Sequence, residues 1–263
     1  MRFAVTIGLN GSPNLPTVAK KWAADLKVPY LVRPSKGTLE EMLSGNGIDA
    51  LIVATNKGPQ VCSCEGTLFF HPGMAALRLK RLLQGEKDNF AEALELKRGM
   101  KVLDCTMGLA GDAIIASHIC GSEGRIVALE ASMPIWFIVS SGLKSYQDAD
   151  EQLTSAMRRI ETIQTNAVDY LKILPDNSFD VVYFDPMFRR PVRSSANMVP
   201  LRPVAYDQPL EKDIIEQAFR VAPVVVVKER SVQTLEKLGL SEVSGGRYSR
   251  VKYGIRRREY DET

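Results

Sequence analysis

Histidine and cysteine are scarce in this chain, with two and four among 263 residues. Two of the cysteines, Cys62 and Cys64, form C-x-C and not C-x-x-C, and no second ligand pair follows at zinc spacing. The pattern argues against a metal centre and for free thiols in a reducing cytoplasm. Also missing is any apolar run of the ~18 residues that a membrane span needs, and the N-terminus lacks a secretory-signal pattern. The chain therefore reads as cytoplasmic, with no membrane and no metal among its expected partners. Internal repeats and low-complexity tracts are absent. Neither sign of charge dominates: the net charge is +3, so contact with a polyanion would have to come from local clusters.

What is present suffices for a full core, since 45% of residues are hydrophobic and 25% charged. Phe3–Gly8 reads as a strand, followed by a Gly/Pro/Asn-rich loop, a short helix over Thr17–Leu26 and a second strand at Tyr30–Val32. Thr38, with Glu41 three residues on, has the spacing of a capping box at a helix start. Asp49–Ala54 reads as a buried strand, and the runs on either side of Glu65-Gly66 as a hairpin. Residues 1–70 are thus expected to form a small N-terminal α/β lobe, and residues 71–263 a second domain.

The second domain alternates strand and helix, which implies a parallel sheet covered on both faces. Strands are expected at Met100–Asp104, Arg125–Leu129, Glu161–Thr165, Phe179–Phe184 and Val224–Val227. Two more, around Ser241–Ser244 and Tyr248–Ile255, flank Gly245-Gly246. The fold class is α/β: a Rossmann-like sheet of seven strands, one of them antiparallel.

In such sheets a ligand lies across the carboxyl ends of the strands, where strand order reverses. The first of those ends carries Asp104, then a turn with Gly108-x-x-Gly111, then Asp112 at a helix start. A dinucleotide loop needs G-x-G-x-x-G so that backbone N–H groups can approach a pyrophosphate. Here the third glycine is missing and two carboxylates flank the turn, which would repel a phosphate and attract a cation. S-adenosylmethionine (SAM), with an ammonium, a sulfonium and no phosphate, fits that charge. Glu130, ~20 residues on, stands where a carboxylate can accept both ribose hydroxyls. Asn166 closes the third strand, where a short polar side chain and the next backbone N–H can meet an adenine edge.

The fourth strand end reads Asp185-Pro186-Met187-Phe188. An exocyclic base amine is a poor nucleophile because its lone pair is delocalised into the ring. Two acceptors, the Asp185 carboxylate and the Pro186 carbonyl, can hold its two N–H groups and aim the lone pair at a methyl donor. Phe188 can stack on the base. Arg189, Arg190, Arg193 and Arg202 follow, with no acidic residue before Asp207. A basic loop in that place suits the phosphates of a nucleic acid. Arg256–Arg258, with Arg247, Arg250 and Lys252, reads as a second basic patch or as a merely solubilising terminus. The basic residues of the helix over Met74–Gln84, Arg78, Lys80 and Arg81, read equally well as a solvated face.

Together these residues resemble the bacterial small-subunit rRNA guanine-N2 methyltransferases of the J type and their uncharacterised relatives. The resemblance rests on Leu103–Ala113, on Leu129-Glu130, on Val181–Phe188 and on Val225–Lys228, and covers residues ~71–255. It implies SAM contacts at Gly111-Asp112, Glu130-Ala131, Asn166-Ala167 and Asp185. It also implies an acceptor side that includes Lys228, and the small ribosomal subunit's RNA as partner. Gly111 stands where the family has arginine, and Asn166-Ala167 where it has two serines. Methylation of a small molecule or protein, and a non-catalytic RNA-binding or assembly role, remain open alternatives, as does a homodimer.

Overall fold

The computed structural model describes residues 2–148, 150–186, 209–246 and 249–258. Met187, Phe188, Arg189, Arg190, Arg193 and Arg202 lie outside the described residues, so the expectations placed on them have no structural account.

The chain divides into two compact units. The first contains the residues up to His71, in the order β1 (Phe3–Ile7), α1 (Leu15–Leu26), α2 (Leu39–Asn46), β2 (Ala50–Thr55), β3 (Gly58–Ser63) and β4 (Gly66–Phe69). Its sheet runs β1-β2-β3-β4, with β1 parallel to β2 and the others antiparallel. The capping box is formed: the Glu41 N–H donates to Thr38 Oγ1 at 3.1 Å and the Thr38 N–H to Glu41 Oε2 at 2.8 Å. The strand expected at Tyr30–Val32 is only an isolated bridge between Tyr30 and Val5. Pro29 cannot donate to a ladder and Pro34 follows closely, so too few residues are left to propagate pairing.

The second unit begins at Pro72. In chain order it holds α3 (Gly73–Leu83), α4 (Asn89–Ala93), β5 (Lys101–Asp104), α5 (Gly111–Cys120) and β6 (Arg125–Glu130). Next comes α6 (Met133–Ser145), which groups with the first unit. The second unit resumes with α7 (Glu151–Arg158), β7 (Ile160–Gln164), α8 (Ala167–Ile173), β8 (Val181–Phe184), α9 (Lys212–Val221), β9 (Val224–Glu229), α10 (Val232–Lys237), β10 (Glu242–Ser244) and β11 (Lys252–Arg257). The division expected from sequence, 1–70 and 71–263, did not anticipate the place of α6. That helix buries Ile135, Ile138, Val139 and Leu143, and Phe137 meets Trp22 edge to face at 5.1 Å. A helix apolar on most sides does not say in its sequence which layer covers it.

The large sheet has the order β10-β11-β9-β8-β5-β6-β7, and β11 is antiparallel to both its neighbours. Its central strands read as unbroken apolar runs because helices cover both faces. Leu103, Val182, Phe184, Val225 and Val227 share one core cluster with Leu171 of α8 and Ile215 and Ala218 of α9. The order reverses between β5 and β8, so the carboxyl ends of these two strands flank the crevice. Among the described residues, no helix is long and apolar enough to cross a membrane.

Candidate active site

Register decides which side chains meet at the crevice. In the parallel pair β8/β9, Phe184 stands opposite Val227. One step further places Asp185 beside Lys228, with both side chains on the same side of the sheet. The Lys228 ammonium lies 2.7 Å from Asp185 Oδ2 and 3.3 Å from Asp112 Oδ2. Asp112, in the first turn of α5, also accepts from the Tyr183 hydroxyl at 2.8 Å and from Arg78 Nη1 at 2.5 Å. Arg78 reaches across from α3 and closes a bidentate fork on Asp88, with Nε at 2.8 Å from Oδ2 and Nη2 at 2.9 Å from Oδ1.

The result is a line of alternating charge: Asp88, Arg78, Asp112, Lys228, Asp185. Three carboxylates face two cations, so the line carries one excess negative charge when all are ionised. Phe90 and Tyr183, packed edge to face at 4.8 Å, back it, and the Arg78 guanidinium lies 5.5 Å from the Phe90 ring centroid. A cleft of about 360 Å³ opens onto the line, lined in part by Arg78, Phe90, Asp112, Lys228 and Tyr253.

Burial and charge act in opposition along this line. Burial disfavours ionisation of Asp112, but Lys228 and Arg78 outweigh it and hold the carboxyl below the usual range. Burial likewise works against charge on Arg78 and Lys228, and their carboxylate partners overcome it and keep both firmly protonated. Asp185 goes the other way: burial pushes its carboxyl up to about 6 against the pull of Lys228, and the neighbouring Asp112 adds to the rise.

Asp104 closes β5 and is 3% exposed. It accepts from the Thr106 backbone N–H at 2.9 Å, and Thr106 Oγ1 in turn accepts from the Asp185 N–H at 2.6 Å. Thr106 thus ties the end of β5 to the end of β8. Burial pushes the Asp104 carboxyl up to about 8, with the Thr106 N–H opposing and the charges of Asp112 and Asp185 reinforcing. These observations correct the electrostatic premise drawn from the sequence. Of the two carboxylates expected to face a cation, Asp104 is pushed by burial toward its neutral form and Asp112 is already paired.

The other expected cofactor positions gather at the same edge of the sheet. Gly108 has φ +50°, and its N–H donates to Glu130 Oε2 at 3.1 Å, binding the loop after β5 to the end of β6. Gln164 holds the Ala131 carbonyl at 2.9 Å. The Asn166 side chain is occupied as the cap of α8, accepting from the Asp169 N–H at 2.9 Å and donating to the Asp169 carboxylate at 2.7 Å. Its amide therefore serves the helix, and Ala167 opens that helix. Above the loop there is room for a ligand: a Cβ added at Gly111 would meet nothing within 4 Å, and one at Gly108 only the Thr106 carbonyl at 3.9 Å. A carboxylate acceptor at Glu130 beside an open glycine turn suits the hydroxyls of an uncharged ribose better than a phosphate.

Lys228, expected to contact substrate, is instead turned to Asp112 and Asp185. The terminal arginines are engaged within the protein. Arg256 pairs with Glu216 at 2.7 Å and lies over the Phe219 ring, Arg257 meets Glu242 and Glu95, and Arg258 bonds Asn177 and the Phe219 carbonyl. Sequence reasoning left Arg78 undecided between a solvated face and a functional role, and missed Thr106, Tyr183 and Tyr253. Arg78 left one signal: it follows Ala75 by three residues and precedes Leu79, so a cation sits on the apolar stripe of α3. Among the described residues, no group of three or more His, Cys, Asp or Glu side chains is arranged to hold a metal ion.

Comparison with known proteins identifies the family. Residues 64–250 match the family described as "Putative SAM-dependent methyltransferase". The protein YpiP of Bacillus subtilis, described as uncharacterized, is 40% identical over 85% of this chain and 86% of its own length. Ribosomal RNA small subunit methyltransferase J of Pseudomonas fluorescens (strain Pf0-1) is 26% identical over 90% of each chain. Among solved structures, the SAM-dependent methyltransferase NGO1261 of Neisseria gonorrhoeae has the same fold, with a TM-score of 0.62 at 15% identity over 97% of this chain and 95% of its own. The cofactor is therefore SAM, and the chain belongs to this family of SAM-dependent methyltransferases.

Proposed function

We propose that the chain transfers the SAM methyl group to the exocyclic amine of a guanine in small-subunit ribosomal RNA. The observation that carries this reading is the Asp185-Pro186 turn at the end of β8. There a carboxylate with one oxygen tied to Lys228 stands at the switch point of the sheet, beside an open cleft. In this reading SAM supplies an electrophilic methyl and the protein supplies geometry and acceptors. Asp185 and the Pro186 carbonyl take the amine's two N–H groups, and Phe188 stacks on the base.

For SAM itself we assign the loop from Asp104 through Gly108, Gly111 and Asp112, with Glu130-Ala131 at the ribose and Asn166-Ala167 at the adenine. Because the Asn166 side chain caps its helix, the adenine contact falls to the backbone. Arg189, Arg190 and Arg193 are assigned to RNA phosphates. The likeness to ribosomal RNA small subunit methyltransferase J over 90% of both chains supports the acceptor class.

The test is to incubate the protein with labelled SAM and small ribosomal subunits from a strain lacking its gene, then map the new methyl group. Label on a guanine N2 is the expected result. The engagement of Arg256–Arg258 within the protein favours one alternative, a small-molecule or protein acceptor, because it removes a basic surface. Label in a non-nucleic fraction, with RNA unlabelled, would decide for it.

A further inference from the structure

We infer that Lys228 is a positioning residue for the methyl acceptor. Held between Asp112 and Asp185, it fixes Asp185 by Oδ2 and so presents Oδ1 to the amine. The substrate half of this inference rests on the proposed amine methylation; the Lys228–Asp185 half does not.

The geometry sets Lys228 apart from a phosphate-binding lysine. Its side chain is 20% exposed, and its ammonium has two carboxylate partners, at 2.7 Å and 3.3 Å. An ammonium so placed has little charge left for a third anion. Arg78 extends the restraint, because it binds Asp112 at 2.5 Å and is itself anchored by the Asp88 fork. Asp112 is therefore held in place by Arg78, and its contact with Lys228 restrains the ammonium beside Asp185. On the other side, the Asp185 backbone N–H is pinned to Thr106 Oγ1 at 2.6 Å. Main chain and one carboxylate oxygen are thus both fixed, which sets the direction of the other oxygen.

The groups that bear on Asp185 come from six elements or their ends: Lys228 of β9, Asp112 of α5, Arg78 of α3, Asp104 of β5, and Tyr183 of β8 and Tyr253 of β11. Of these, Lys228 alone is in hydrogen-bond contact with the Asp185 carboxylate among the described residues. Replacing it with an uncharged side chain leaves two neighbouring carboxylates without the cation that separates them, so Asp185 should titrate later. A purely phosphate-binding role predicts no such change. Loss of a phosphate contact weakens RNA binding and lowers the salt slope by about one.

The experiment uses the full-length protein with ¹³C-carboxyl aspartate, with the Asp185 signal assigned by its loss in Asp185→Asn. In Lys228→Met the Asp185 midpoint should rise above that measured in the wild-type protein. In RNA methylation kcat should fall at least tenfold with KM within about twofold, the pH–rate profile should shift upward, and Lys228→Arg should restore most of the rate. An unmoved Asp185 midpoint, or a loss confined to KM and the salt slope, overturns the inference. If Lys228→Met does not fold, Lys228→Gln decides: it keeps a polar stem but not the charge, so the Asp185 midpoint should again rise, and an unmoved midpoint overturns the idea. If wild-type protein labels no RNA, the proposed substrate fails, while the carboxyl titration still judges the Lys228–Asp185 link.

Discussion

Two arginine-anchored sets of charges occupy the second unit, and they differ in what surrounds them. Around Arg78 the partners are partly buried, charge alternates over five residues, and aromatic rings close the back. Around Phe219, Arg256 and Arg258 stack on one ring and pair with side chains that solvent reaches. The same residue type thus serves two ends. Where most water is excluded, an unpaired charge is expensive and the members of the set depend on one another. Where water remains, each pair contributes little and can be removed singly. The sequence shows arginine in both places; burial separates them.

The comparison is tested most severely at Arg78. Arg78→Met should leave Asp88 and Asp112 in a partly buried site with one cation fewer, and destabilise the second unit by about 3 kcal/mol, the low end of the range for a fully buried pair. Denaturant unfolding monitored at pH 7 measures it. A loss below about 1 kcal/mol would place Arg78 with the surface arginines and dissolve the distinction. Asp185→Ala comes next. The carboxylate stands at the reacting end of the line, so kcat should drop by about 10²–10³, or 2.7–4 kcal/mol, with SAM affinity nearly kept. Calorimetry of SAM binding alongside initial rates separates the two effects, and equal losses in both would move Asp185 to the cofactor side.

Much of this was legible in the chain. The strand–glycine turn–helix of Asp104 to Asp112, the acidic end of β6 and the Asp185 turn all follow from local pattern, because each is set by neighbours a few residues away. The seven-strand sheet with one reversed strand follows from alternation and the terminal hairpin. What stayed hidden depends on contacts remote in sequence. Arg78 meets Asp112 34 residues on, and Lys228 meets Asp112 116 residues away. No window of sequence joins such pairs, so Asp112 read as an open carboxylate and Lys228 as a substrate contact. Asn166 shows the converse case, since its capping partner Asp169 was three residues away and the helix-start pattern was available.

Asp104 sharpens the comparison from the buried side, because it is an acidic group with no cation in contact among the described residues. With its carboxyl near 8 in the folded chain and an ordinary value of about 3.9 unfolded, the native state holds one extra proton between those limits. Unfolded protein binds fewer protons there, so this group makes stability fall as pH rises from about 4 to about 8. Asp104→Asn removes that dependence. Relative to wild type, the variant should gain stability with increasing pH, by up to about 1.4 kcal/mol per pH unit. Paired denaturation curves at pH 5 and pH 8 supply the check, and a constant difference between the two proteins would show that Asp104 is ionised throughout.

The smallest effect is expected at the solvent-facing set. Arg256→Ala breaks the 2.7 Å pair with Glu216 and the stacking on Phe219, whose ring centroid lies 4.2 Å from the guanidinium carbon. Glu216 is 45% exposed in its side chain, so water replaces the lost partner at little cost. Arg258 still covers the same ring at 5.3 Å. The loss should be about 1 kcal/mol or less, and smaller still at high salt, where the ionic part is screened while the stacking remains. Because these side chains are committed to α9 and β11, the substitution should also leave RNA binding and its salt dependence unchanged. A drop in the salt slope on Arg256→Ala would return the terminal run to the RNA-facing role that its sequence first suggested.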